Sequence, residues 1–110
     1  MRAVVRVTAA VSCFWAMTSA ADAQQSPEDQ GRALAEQHCS RCHAIGREDV
    51  SRLPIAPPLR DLPKRYPVEN LAEAFAEGVV TAHPAMPQFT FQPPQIEALL
   101  AYIEKIGTTE

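Results

Sequence analysis

The chain has 110 residues, with 10 Lys/Arg against 13 Asp/Glu and a net charge of −3 when His is neutral. That length suits one domain, and the acidic balance excludes nucleic acid as the natural partner. The three cysteines are Cys13, Cys39 and Cys42, and the last two share one short motif.

The first 23 residues read as a secretory signal. Met1 to Arg6 is a short basic stretch, Val7 to Met17 is apolar, and Ala21-Asp22-Ala23 offers small residues for cleavage before Gln24. The apolar run falls well short of the roughly 20 residues that span a bilayer. The cleaved product is therefore expected in the periplasm without a stable membrane span. An uncleaved N-terminal anchor is the competing reading. Cys13 follows small residues, as a lipoprotein acceptor does, but reads better as apolar filler removed with the signal.

Residues 24–110 then form the mature domain, with eight Lys/Arg, twelve Asp/Glu and a net charge of −4. A chain of this size often needs a staple, metal or cofactor to reach useful stability. Its charge is uneven: residues 24–68 carry seven basic and six acidic side chains, whereas residues 69–110 carry Lys105 and six acids. Such polarity can orient a molecule on a charged partner.

Ser26-Pro27-Glu28-Asp29 is a helix start, with a capping Ser, a first-turn Pro and two acids at the positive end of the dipole. The helix should run from about Pro27 to His38, with Gly31, Leu34, Ala35 and His38 inward. Gly31 costs about 1 kcal/mol relative to Ala inside a helix, so close approach of another backbone is its expected reason. His38 is expected to face outward or to meet the edge of a bound group.

Cys39-Ser40-Arg41-Cys42-His43 is a C-x-x-C-H run, the spacing of covalent haem c attachment. Two thiols on one helical turn can each add to a vinyl group of the same porphyrin. His43 is then carried beneath the ring, where its imidazole can bind iron. Its second ring nitrogen should donate to a carbonyl, and Pro57 or Pro58 is the candidate acceptor. Zinc would need two further ligands at suitable spacing. A thioredoxin-type pair would need a βαβ pattern, which is absent.

From Ala44 to Pro67 the prolines rule out a long helix and no alternation suggests a strand. Leu53, Ile55, Leu59, Leu62 and Tyr66 nonetheless call for burial. A long ordered loop in a small domain fits one wrapped on a cofactor. Glu69 to about Val80 predicts a second helix with Leu71, Ala74, Phe75 and Val79 on one face. Thr81 to Pro94 is again aperiodic. Pro93 to Ile106 predicts the last helix, with Ile96, Leu99, Leu100, Ile103 and Ile106 at helical spacing and Gly107 as its C-cap.

The sixth iron ligand must come from downstream, where Met86, His83, Lys105 and Lys64 are the candidates. Met86 lies in Pro84-Ala85-Met86-Pro87, whose prolines restrict the backbone on both sides. A weak thioether ligand needs such a pre-ordered loop, so Met86 is favoured over His83. His/Met ligation leaves no open position and raises the reduction potential, which suits electron carriage over catalysis. Arg60, Lys64, Arg65 and Tyr66 lie where a loop would pass the propionates, and Tyr66 is the candidate hydrogen-bond donor there.

Gly31-Arg32-x-Leu34, Cys39-x-x-Cys42-His43, Pro57-Pro58-Leu59, Met86-Pro87-x-Phe89 and a last helix bearing Tyr102 together resemble small bacterial monohaem class I cytochromes c. The resemblance covers residues 26–107. It implies an all-α fold of three main helices with long Pro-rich loops around one covalently bound haem, ligated by His43 and Met86. It also implies that the first and last helices cross near Gly31 and Tyr102. Ala35 stands where many relatives place an aromatic, which suggests a thinner contact. The expected role is a monomeric periplasmic electron carrier between a redox donor and acceptor. A dedicated haem subunit of a larger dehydrogenase or oxidoreductase, and a ligand-binding or sensory haem protein, are the alternatives.

Overall fold

The computed structural model describes residues 24–78 and 85–108. Helix α1 spans Pro27–His38, a 3₁₀ turn spans Leu59–Asp61, and α2, α3 and α4 span Leu62–Arg65, Val68–Glu77 and Pro93–Gly107. The three expected helices are present, and the described residues are all-α. The expected signal segment, including Cys13, lies outside them. No helix among the described residues is long and apolar enough to cross a membrane.

Each helix start follows from its local sequence. The Ser26 hydroxyl accepts from the Asp29 amide at 3.2 Å, which satisfies one of the free first-turn donors of α1. At α4 the Gln95 side chain accepts from the Gln92 amide at 2.9 Å, and Pro93 opens the helix where a missing N–H costs nothing. Helix α3 ends earlier than its periodicity suggests, at Glu77. Gly78 follows with φ +92°, a left-handed value that no side-chain-bearing residue adopts easily. Val79 and Val80 lie outside the described residues.

Helices α1 and α4 cross so closely that Gly31 has no alternative. A Cβ built on Gly31 would sit 1.9 Å from the Ala98 carbonyl oxygen and 2.7 Å from the Tyr102 Cβ. The crossing pair inferred from the resemblance is therefore the observed one. Ala35, one turn further along α1, is completely buried in the same core. The contact expected to be thin is in fact close at Gly31, whose missing side chain permits the approach.

The core is the inward stripe of α4 against this crossing. Ile96, Leu99, Ile103 and Ile106 are buried, joined by Tyr102 of the same helix, Leu71 and Phe75 from α3, and Leu59 from the 3₁₀ turn. Gly107 does not terminate α4 through a left-handed conformation, as expected of it. It is the last helical residue, with Thr108 as the cap. Its bare Cα admits the Arg60 carbonyl, which a Cβ would meet at 3.0 Å.

The stretch read as loop from Ala44 to Pro67 holds the 3₁₀ turn and the single-turn α2 as well. Pro63 is accommodated in the first turn of α2, where it lacks nothing. The rest of that stretch is pinned to the end of the C-x-x-C-H run. The Leu53 amide donates to the Cys42 carbonyl at 3.0 Å, and the Leu59 amide donates to the Ala44 carbonyl at 2.9 Å. The buried Ser51 hydroxyl accepts from the Ala44 amide at 3.0 Å.

Candidate functional site

Cys39, Cys42, His43, Tyr66 and Met86 all line one cavity of about 660 Å³. Its walls are mostly apolar: Leu53, Leu59, Leu71, Phe75, Leu99 and Ile103 bring residues from the loop, α3 and α4 to one space. A cavity of this size and character suits a cofactor rather than a small ion alone.

Helix α1 delivers the motif. Cys39 caps it, donating its amide to Ala35, and the chain continues its turn as the amides of Cys42 and His43 donate to the Cys39 carbonyl at 3.2 and 2.9 Å. Both thiols therefore leave one turn of backbone on the same side. Burial pushes the Cys39 thiol up to about 11. Its apolar surroundings thus disfavour the charged Cys39 thiolate. Cys39 and Cys42 are not joined to each other in a disulfide.

The orientation of His43 is set by the loop. Its Nδ1 lies 2.6 Å from the Pro57 carbonyl oxygen. A carbonyl only accepts, so Nδ1 carries the proton and Nε2 is left with its lone pair. That is the tautomer a metal-binding imidazole needs. Of the two carbonyls expected to act, Pro57 is the one observed.

The second wall comes from the segment before α4. Ala85, Met86, Pro87 and Phe89 line the cavity. Among the other candidates for a ligand, Lys64 pairs with Asp61 at 3.5 Å on the surface and Lys105 is exposed on α4, and neither lines the cavity. His83 lies outside the described residues.

Of the two alternatives expected of His38, outward or against the edge of a bound group, the side chain takes the cavity side: it lines the cavity and packs edge-on against Phe89 and Phe91. Three residues differ from expectation. Arg60 is not at the cavity. It donates to the carbonyls of Gly46 and Asp49 at 3.2 and 2.9 Å, with the Asp49 carboxylate at 3.6 Å, and so braces the loop. Ile55 and Tyr66, expected to be buried, are 72% and 49% exposed because they sit at the rim of the cavity. Arg65 joins Tyr66 in the cavity lining.

Arg41 and Asn70 also line the cavity and carried no sequence signal. Arg41 occupies a variable position of the motif, and Asn70 is one polar residue among several on a helix. The described lining contains two Arg and no Asp or Glu, in a chain whose net charge is negative.

A family model described as cytochrome c oxidase, cbb3-type, subunit III matches residues 26–103. The chain belongs to this family of small c-type cytochrome domains. No curated protein and no solved structure matches it. As a cytochrome c domain it binds haem c covalently, with its iron, and carries electrons between redox partners instead of catalysing a reaction. The all-α class I fold is the one observed. The cavity fits the group that the family implies: it is apolar, it has two thiols on one turn of its wall, and it has an imidazole nitrogen free to bind metal.

Proposed function

We propose that this cytochrome domain is an exported, single-haem electron carrier whose haem is held by thioethers from Cys39 and Cys42. His43 and Met86 would hold its iron. The observation that carries this reading is the convergence of Cys39, Cys42, His43 and Met86 on one apolar cavity, with the His43 Nδ1 already engaged by Pro57. A haem bound there would supply a one-electron couple, and ligation by both His43 and Met86 would leave no open position for substrate.

The residues of the chain do the rest. The Pro57 carbonyl orients His43 and raises its basicity as a ligand. The walls built by Leu71, Phe75, Leu99 and Ile103 exclude water, which helps set the reduction potential. Tyr66 and Arg65, which line the cavity, would meet the propionates. Residues 1–23 act as a cleaved secretory signal, which puts the mature monomer in the periplasm, where electrons pass between larger complexes. Cations at the cavity rim and acids along α3, at Glu69, Glu73 and Glu77, give the surface two distinct faces. The cationic face, next to the cavity, is the one that meets an acidic redox partner.

A second reading is a dedicated haem subunit of a larger oxidoreductase, favoured by the oxidase subunit named in the family description. Stable copurification of the tagged cytochrome with a larger enzyme would support it.

Visible and near-infrared absorption of protein matured in a haem-attaching host tests the ligand set. The expected outcome is a sulfur-to-iron band that Met86→Ala abolishes and His83→Ala leaves intact. The reverse would move the ligand to His83. Carbon monoxide binding by the reduced wild-type protein at neutral pH would indicate an open position and a sensory role.

A further inference from the structure

His38 is the one side chain of α1 whose ring meets the segment that brings Met86 to the cavity. Its ring centroid lies 5.4 Å from that of Phe89 at an interplanar angle of 61°, and 5.4 Å from that of Phe91 at 74°. Both are edge-to-face geometries, the arrangement that aromatic quadrupoles prefer. Phe89 and Phe91 stack at 5.9 Å and 27°, and Phe91 meets Phe75 of α3 edge-on at 5.9 Å and 83°. The backbone joins in, since the Phe91 amide donates to the Phe75 carbonyl at 2.9 Å.

These contacts form a bridge. At one end is His38, covalently adjacent to Cys39 and so fixed to the haem motif. At the other are Phe89 and Phe91, three and five residues beyond Met86. Phe75 ties the bridge to α3. A thioether binds iron weakly, and its occupancy depends on how far its segment is ordered beforehand.

We infer that His38 is a positioning residue for Met86: its ring clamps the Phe89–Phe91 segment to the end of α1 and so holds the thioether at the cavity. The inference rests on Met86 being the sixth ligand, but the clamp itself is a contact between α1 and the segment. The mechanism needs an aromatic ring at position 38 and does not need its charge. His38→Phe therefore retains the clamp and His38→Ala removes it.

The test uses the haem-loaded protein in three forms: wild type, His38→Ala and His38→Phe. Two quantities are read, the amide hydrogen exchange of residues 85–92 and the rate at which the ferrous form takes up carbon monoxide under forcing concentrations. Loss of the two ring contacts should raise both in His38→Ala by about tenfold, and His38→Phe should restore both to within about twofold of wild type. Wild-type behaviour in His38→Ala, or failure of His38→Phe to restore it, would overturn the inference. If His38→Ala does not mature, Phe89→Leu removes the same contact from the other side and should show the same rise. A wild type lacking the sulfur-to-iron band would remove Met86 as the ligand, while hydrogen exchange would still decide whether His38 clamps the segment.

Discussion

The two walls of the cavity are held by different kinds of contact. The His43 wall is a lattice of hydrogen bonds between segments distant in sequence. His43 meets Pro57, Ala44 meets both Ser51 and Leu59, and the Tyr102 hydroxyl donates to the Ile45 carbonyl at 2.5 Å. Arg47 donates to the carbonyls of Lys105 and Thr108 at 2.8 and 3.0 Å, which seats the loop on the negative end of α4. The Met86 wall is held by rings: Phe75, Phe89, Phe91 and His38. Hydrogen bonds fix direction and so suit the imidazole, whose tautomer and angle must be set. Ring packing fixes proximity and suits a thioether, which needs only to be near.

The comparison breaks most severely at the helix crossing that carries the His43 wall. Gly31→Ala places a Cβ on the Ala98 carbonyl, backbone against backbone, where no rotamer change gives relief. The expected cost is about 3 kcal/mol, the upper end of the range for overpacking. Thermal unfolding of the haem-loaded protein reads it. Unchanged stability would mean that α1 and α4 are free to separate and that the close approach has no energetic meaning.

A smaller effect is expected inside the lattice. Ser51→Ala removes the acceptor of the Ala44 amide in a buried setting, and leaving that donor unpaired costs about 1–3 kcal/mol. The loss should fall on the His43 wall: exchange of the Ala44 amide should accelerate while that of residues 85–92 stays near wild type. Equal acceleration on both walls would show that the two are one cooperative unit.

Much of this was legible in the chain. The first and last helices, with a cap or proline start, are where the pattern put them, α3 starts where expected but ends early at Glu77, and the close approach at Gly31 is observed. The His43 acceptor could be narrowed to the Pro57 or Pro58 carbonyl, because a metal-binding imidazole needs an acceptor and the proline pair restricts where the loop passes; the structure selects Pro57. Helix α2 was not legible, since four residues make one turn and leave no period to detect. The target of Arg60 was not legible either. A long side chain reaches several carbonyls, and tertiary placement alone chose those of Gly46 and Asp49. For His38 the two alternatives, outward or against a bound group, stayed open in the sequence, because its position beside the motif says nothing about a segment fifty residues later folding back onto it.

The smallest effect sharpens the comparison at the rim, where neither lattice nor rings dominate. Tyr66 is half exposed beside Arg65 at the cavity mouth. If its hydroxyl donates to a propionate, it stabilises the ionised carboxylate, as any hydrogen bond to the charged form does. Removing the donor in Tyr66→Phe raises the pKa of that propionate. The reduction potential falls as the propionate ionises, so the whole fall should move to higher pH in the variant. One exposed hydrogen bond is worth about 1 kcal/mol, which sets the displacement at about one pH unit or less. Potentiometric titration of both proteins across the neutral range checks it. Coincident curves would leave Tyr66 as an apolar rim residue, and Arg65 would then be the side chain to test at the same edge.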